Sequence, residues 1–177
     1  MALLFPDTTV LISFALAERL DLFAEIVGKN GAWTLTIAQE WQRHPRGEVP
    51  INLLEVLGNP IWPAPAERAY ALQLRERIAR PGDRKESHQG EAETVAVMKS
   101  RGIVGGFVTD DLAAADLSRS PDIGIPVYTT ADLTRLAVRT NRLDLASAWQ
   151  MIEVLRTNDR ARGMPAFEQH VSQWVFG

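Results

Sequence analysis

The sequence predicts an α/β fold built around a parallel sheet, and two observations support this. Short, continuous apolar runs that end at turn residues alternate along the chain with longer stretches of helical periodicity. This alternation is typical of parallel sheets, in which each strand is followed by a helix. A chain of 177 residues with 46% hydrophobic and 23% charged side chains also suits one globular domain.

The predicted strands are the short apolar runs. Residues 2–5 end at a Pro-Asp turn, and residues 103–108 end just before a pair of aspartates. Further strands are expected at 33–35 and 127–128, and the proline-rich segment 59–65 is either a connector or an edge strand. We therefore expect a central parallel sheet of four to five strands flanked by helices.

Helical periodicity fills the intervals between these strands. Helices are expected at 8–17, 18–27, 36–41, 51–57, 66–79, 91–100 and 112–117, and further helices begin at Asp132, Leu143 and Pro165. The polar stretch 80–89 breaks the periodicity and is predicted to be a loop. We expect residues 1–142 to form the main domain and 143–177 a helical C-terminal extension packed on it.

Composition excludes several classes of protein. Without cysteine there is no thiol nucleophile, iron–sulfur cluster or disulfide scaffold, and the three histidines have no ligand-like spacing. The apolar run 2–17 lacks a basic flank, contains Asp7 and is too short to span a bilayer. We therefore expect a cytoplasmic protein with no membrane partner. The net charge of −3 argues against a nonspecific nucleic-acid coat.

Acidic residues occur where two of the predicted strands end. Asp7 follows the first strand, and Asp110 and Asp111 follow the strand at 103–108. Three glutamates lie on nearby helices: Glu40, Glu91 and Glu93. Because ligands of parallel sheets bind outside the carboxyl ends of the strands, acids from four segments can meet in one crevice.

Converging carboxylates repel one another, and a hard divalent cation relieves the repulsion. Mg²⁺ or Mn²⁺ held by such acids supports phosphoryl chemistry. No Ser-His-Asp arrangement or phosphate-binding glycine loop competes with this interpretation. Taken singly, each acid has a plainer explanation. An aspartate after a strand is often a helix cap, glutamates in a first turn complement the helix dipole, and Glu40 can be a solvated face residue.

Four short motifs occur in a recognisable order over roughly the first 140 residues. They are FPDTTVLISF at 5–14, LTIAQEW at 35–41, GEAETVAVMKSRG at 90–102 and FVTDDLAAADLS at 107–118. In order and spacing they resemble the PIN-domain nucleases, including the VapC-like ribonuclease toxins of bacterial toxin–antitoxin modules. The resemblance implies a three-layer PIN-like fold, an acidic pocket for Mg²⁺ or Mn²⁺, and metal-dependent hydrolysis of RNA.

The resemblance also assigns roles to particular residues. The catalytic acids it implies are Asp7, Glu40, Glu93 and Asp111, and the wider set of metal-ligand candidates is Asp7, Glu40, Glu91, Glu93, Asp110 and Asp111. Glu93 is favoured over Glu91 because an apolar face follows it, and Asp111 over Asp110 because Thr-x-Asp is the commoner family spacing. The hydroxyls of Thr8 and Thr9 are expected to support the site.

RNA is the expected substrate, and basic residues should border the pocket. The candidates for RNA contacts are Arg80, Arg84 and Lys85 in the predicted loop, and Arg43 and Arg46. An antitoxin protein and a second copy of the chain are further candidate partners. Setting aside the six candidate acids leaves 16 acidic residues against 19 basic ones, so the net charge does not exclude a nucleic-acid substrate. The alternatives are a catalytically inactive PIN-like binding module and a phosphatase or sugar-phosphate enzyme.

Overall fold

The computed structural model describes residues 2–45 and 51–177, and these residues form a three-stranded parallel sheet between layers of helices. Its strands are β1 (Leu3–Pro6), β2 (Gly105–Val108) and β3 (Val127–Tyr128), in the order β1-β2-β3. Phe5 lies opposite Phe107, which in turn lies opposite Val127. The predicted α/β class is therefore confirmed.

The four to five expected strands are confirmed only as far as these three, within the described residues. Residues 31–34 extend the sheet beyond β1 through an isolated parallel bridge between Leu4 and Gly31, where the Ala32 N–H donates to the Leu4 carbonyl at 3.0 Å. A second bridge joins Thr34 to Ile61. The predicted strand at 33–35 is reduced to this bridge because Leu35 already begins a helix.

Ten α-helices lie in the described part of the chain. They are α1 (Thr8–Leu16), α2 (Leu20–Val27), α3 (Leu35–Arg43), α4 (Leu53–Leu57), α5 (Pro65–Ile78), α6 (Gln89–Ser100), α7 (Leu112–Arg119), α8 (Thr130–Arg139), α9 (Leu145–Thr157) and α10 (Val171–Phe176). The helix expected from Pro165 is replaced by a short 3-10 turn, Glu168–His170, that leads into α10. None of these helices is both long and apolar enough to cross a membrane.

Two buried clusters cover the two faces of the sheet. Successive strand residues divide between them because side chains alternate across a strand. Phe5 and Phe107 join the cluster formed with α5, α6 and α7, whereas Leu4 and Val108 pack with the cluster formed by α1, α2, α3, α8, α9 and α10. The architecture therefore has three layers, helices on both sides of a sheet.

Residues 143–177 contribute to one of these two cores. Met151, Ile152 and Leu155 on α9 are buried in the cluster that contains α1 and α2, and so is Val175 on α10. The Arg139 side chain also donates to the Val175 carbonyl at 2.6 Å. The C-terminal helices thus belong to the same hydrophobic layer as α1, the helix that follows β1.

Candidate metal centre

Asp7 lies buried at the carboxyl end of β1, with 1% of its surface exposed. Its backbone N–H continues the β1–β2 pairing by donating to the Val108 carbonyl at 2.8 Å. One carboxylate oxygen, Oδ2, accepts hydrogen bonds from the hydroxyls of Thr9 at 2.5 Å and Thr109 at 3.2 Å. Burial, reinforced by the charge of Glu40, raises the pKa of Asp7 to about 6, although the two hydroxyls act in the opposite direction.

Glu40 approaches the same region from α3. Its Oε2 accepts the Thr8 hydroxyl at 2.7 Å, so Thr8 and Thr9 each support a different acid. Burial raises the pKa of Glu40, and the charge of Glu93 raises it further. The start of α6 packs closely on this carboxylate, since a Cβ atom on Gly90 would lie 3.1 Å from the Glu40 Oε2.

Glu91 is the acid of α6 that faces the cluster. It lies in the first turn of the helix with 9% of its surface exposed. Burial raises its pKa to about 9, and the charges of Asp7, Glu40 and Asp111 act in the same direction. These influences place the Glu91 carboxylate among the acids that follow β1 and β2, where its negative charge is unfavourable without a cation.

Asp111 and His88 complete a compact group with Glu91. One ligand atom from each of the three lies within 4.8 Å of the other two, so that the group could hold a single metal ion. Asp111 caps α7 by accepting the Ala114 N–H at 2.8 Å through Oδ1. The Nδ1 atom of His88 is buried, lies 3.7 Å from the Glu91 Oε1, and has no hydrogen-bond partner among the described residues.

Glu93 lies on a different side of α6. Its two oxygens accept the backbone N–H of Thr36 at 2.9 Å and the Thr36 hydroxyl at 2.8 Å, which caps the first turn of α3. It also lines a cavity of about 270 Å³ beside Arg68 and Arg75. The sequence argument favours Glu93 as the third acid; the structure instead turns Glu91 toward Asp7, because residues two apart on a helix point in nearly opposite directions.

Asp110 has a comparable structural role. Its oxygens accept the backbone N–H of Thr130 at 2.8 Å and the Thr130 hydroxyl at 2.6 Å, which joins the end of β2 to the first turn of α8. Asp111 is therefore the aspartate of the pair that joins Glu91 and His88. This agrees with the Thr-x-Asp spacing, and the Thr109 hydroxyl accepts the Asp111 N–H at 3.1 Å.

The basic candidates lie mostly on the loop that leads to this group. Arg80, Arg84 and Lys85 are exposed on the loop between α5 and α6, and Arg43 is exposed in the last turn of α3. Arg46 lies outside the described residues. Two backbone carbonyls of the loop are fixed by Arg75, which donates to Ser87 at 2.9 Å and to Arg84 at 2.7 Å.

Sequence reasoning missed two residues near the acids. Arg160, which follows α9, donates to the Thr9 carbonyl at 3.1 Å, so the C-terminal part of the chain reaches the helix that follows Asp7. His88 was set aside with the other histidines because their spacing along the chain is irregular. It lies at the end of the predicted loop, only three residues before Glu91, and this short separation from a candidate acid is the signal that could have identified it.

The donor set fits a divalent metal ion. Glu91 and Asp111 each offer a carboxylate oxygen, and the buried Asp7 lies close enough for its charge to raise the pKa of Glu91. Burial is the main cause of the raised pKa values of Asp7 and Glu91, and neighbouring negative charges, which a cation would offset, add to it. The Nδ1 atom of His88, which has no hydrogen-bond partner among the described residues, can supply a lone pair to the same group.

Comparison of the chain with models of protein families gave no match, and comparisons with curated proteins and with solved structures gave none either. The resemblance to the PIN-domain nucleases therefore rests on the four sequence motifs.

Proposed function

We propose that the protein is a metal-dependent endoribonuclease with a PIN-like fold, and that it is the toxin of a toxin–antitoxin module. The observation that carries the proposal is the approach of Glu91 and Asp111 to the buried Asp7, at the carboxyl ends of β1 and β2. A bound Mg²⁺ or Mn²⁺ would polarise a phosphodiester and lower the pKa of an attacking water.

The arrangement of the sheet supports the PIN-like part of the proposal. The order across the sheet is Ile61, residues 31–34, β1, β2 and β3. Five segments therefore occupy successive positions. Two of these positions are occupied by single bridges in the described residues rather than by full strands. On this interpretation, Asp7 follows the central strand of a five-position parallel sheet and Asp111 follows the strand beside it.

The residues of this site would have different roles in binding the metal, in proton transfer and in contacting RNA. Asp7, Glu91 and Asp111 would hold the metal, and the hydroxyls of Thr9 and Thr109 fix the orientation of Asp7. Glu40 is the group suited to take a proton from water, because burial raises its pKa toward the range of a general base. Arg80, Arg84 and Lys85 lie on the loop that leads directly to His88, where they can contact the phosphates of an approaching RNA.

The proposal is tested by incubating purified protein with RNA in Mg²⁺, in Mn²⁺ and in a chelator. We expect cleavage only with metal, and losses of roughly a hundredfold or more in Asp7→Asn and Glu91→Gln. Glu86→Gln, which changes an exposed acid on the neighbouring loop, is the matched control and should retain wild-type activity. Full metal-dependent activity in Asp7→Asn and Glu91→Gln would refute the assignment.

Experiments on the same purified protein distinguish the alternative functions. A non-catalytic binding module predicts no carboxylate-dependent Mn²⁺ binding in calorimetry and no RNA cleavage. A phosphatase or sugar-phosphate enzyme predicts hydrolysis of small phosphate esters while RNA remains intact. For the toxin role, the expected results are that expression of the wild type arrests bacterial growth and that expression of Asp7→Asn does not.

A further inference from the structure

We propose that His88 is a direct nitrogen ligand of the metal ion held by Glu91 and Asp111, and that the site therefore prefers first-row transition-metal ions to Mg²⁺. The inference rests on the metal site of the proposed function, but it does not depend on RNA cleavage. An all-carboxylate site would favour no such ion, because oxygen ligands suit Mg²⁺ as well as Mn²⁺.

The first argument is the position of the ring. The ligand atoms of His88, Glu91 and Asp111 lie within 4.8 Å of one another, and only 16% of the His88 side chain is exposed. Its Nδ1 atom is buried and has no hydrogen-bond partner in the described part of the chain. A buried ring nitrogen without a partner loses its hydration and gains nothing in exchange, unless a ligand binds to it.

The second argument is what the other ring nitrogen does. The Nε2 atom lies 3.4 Å from the Oδ2 of Asp83 on the preceding loop. Histidines that bind metals commonly donate their second ring N–H to a carboxylate, which fixes the tautomer and the orientation of the ring. With the proton on Nε2 toward Asp83, the lone pair of Nδ1 is left facing Glu91 and Asp111.

The third argument is that the backbone holds His88 in this position before any ligand arrives. His88 is the residue before α6 and has φ +63°, in the left-handed region that non-glycine residues rarely adopt. Asp83 is held in turn, since its side chain accepts the Arg80 N–H at 2.7 Å. Arg75 donates to the carbonyls of Ser87 and Arg84, which fastens the loop to α5. A rare backbone conformation maintained by its surroundings is a common feature of ligand sites.

The competing explanation is that His88 is a charged bridge between Asp83 and Glu91. The distances of 3.4 Å and 3.7 Å permit such a bridge when the ring is protonated. The two explanations predict different results when metal is bound. A nitrogen ligand binds the ion directly, whereas a charged bridge repels it and gives the ion no nitrogen neighbour.

The deciding experiment is pulsed electron paramagnetic resonance on the full chain loaded with Mn²⁺. We expect a coupling between Mn²⁺ and a histidine nitrogen that changes isotope pattern when the histidines are labelled with ¹⁵N. The coupling should disappear in His88→Asn and remain in His170→Asn, a control on an exposed histidine of the C-terminal region. Absence of nitrogen coupling in the wild type would overturn the proposal without reference to any variant.

Calorimetry gives the second measurement. His88→Asn should weaken Mn²⁺ binding by roughly tenfold to a hundredfold and Mg²⁺ binding by less than about threefold. Asp83→Asn, which removes the charge that orients the ring, should weaken Mn²⁺ binding by about tenfold. Equal losses for Mn²⁺ and Mg²⁺ in His88→Asn, or unchanged Mn²⁺ affinity, would contradict the inference.

The results separate this inference from the proposed function. Nitrogen coupling in a protein that fails to cleave RNA would support the ligand assignment and refute the nuclease. Metal-dependent RNA cleavage by a protein without nitrogen coupling would support the nuclease and refute the ligand assignment.

Discussion

At the scale of single residues, the chemistry of the site follows from carboxylates that are buried close together. The pKa values of Asp7 and Glu91 are raised in the folded protein because burial and neighbouring charges disfavour their ionised forms. Glu93, two residues further along α6, instead accepts two hydrogen bonds from Thr36. We therefore expect these two acids of α6 to affect the stability of the metal-free protein in opposite directions.

This difference predicts the outcome of a matched pair of substitutions. The pKa of Glu91 is raised from 4.5 to about 9, so the folded state binds its proton more tightly than the unfolded state does. The contribution of Glu91 to the stability of the wild type therefore falls as pH rises between these values. A glutamine side chain cannot ionise and therefore avoids this loss. In a chelator, the free energy of unfolding of Glu91→Gln should exceed that of the wild type. The difference should grow by about 2 kcal/mol or more from pH 5 to pH 8.

The partner substitution, Glu93→Gln, should behave differently when both variants are unfolded in urea at pH 5 and at pH 8. It weakens the cap on α3 and should lower stability by about 1 kcal/mol at both pH values. A pH-independent effect of Glu91→Gln would contradict the assignment of Glu91 to the acidic group.

At the scale of elements, α6 is the part of the fold on which the site depends most. It is preceded by His88 in the left-handed conformation, packs against α3 at Gly90, and presents Glu91 to the strands. Its other face packs on α5 through small and apolar residues, so that its position is fixed from both sides.

Gly90 gives the test of this arrangement. A Cβ atom there would lie 2.4 Å from the Ile37 Cδ1 and 3.1 Å from the Glu40 Oε2. Gly90→Ala should therefore separate α6 from α3, lower stability by about 1 to 3 kcal/mol and weaken Mn²⁺ binding. Ser100→Ala, at the exposed end of the same helix, is the control and should change neither. Wild-type Mn²⁺ affinity in Gly90→Ala would show that the spacing of the two helices does not position the acids.

Sequence reasoning predicted the elements better than the site. Amphipathic periodicity located α3, α5 and α6 to within about two residues, because the pattern of buried side chains is local information. The strand predicted at 33–35 is present only as a parallel bridge at Thr34, because α3 already begins at Leu35. The first turn of this helix is capped by Glu93, 57 positions away from Thr36, which the local pattern does not reveal. Spacing alone indicated that Glu91 and Glu93 point in different directions, but which of them faces Asp7 is decided by the packing of α6 on α3 and α5.

At the scale of the whole molecule, the candidate site joins the two hydrophobic layers. Asp7 directly precedes α1, which packs in one core, whereas Glu91 belongs to α6, which packs in the other. Asp111 follows β2, the central strand of the described sheet. A ligand held by all three would tie both layers to the sheet, so its binding energy should appear in the stability of the entire fold.

Mn²⁺ should therefore raise the midpoint of thermal unfolding, and by more at pH 7.5 than at pH 5.5. Protons compete with the metal for the carboxylates, and the pKa values of about 6 for Asp7 and about 9 for Glu91 make this competition strongest in acid. Metal at a hundred times its dissociation constant stabilises by about 2.7 kcal/mol, which corresponds to roughly 5 to 10 °C for a chain of this size. Scanning calorimetry of the wild type and of Asp7→Asn measures the effect. Asp7→Asn should lose most of the increase in midpoint temperature caused by Mn²⁺. An equal increase at both pH values, or an equal increase in Asp7→Asn and the wild type, would place the metal away from the acids that follow β1 and β2.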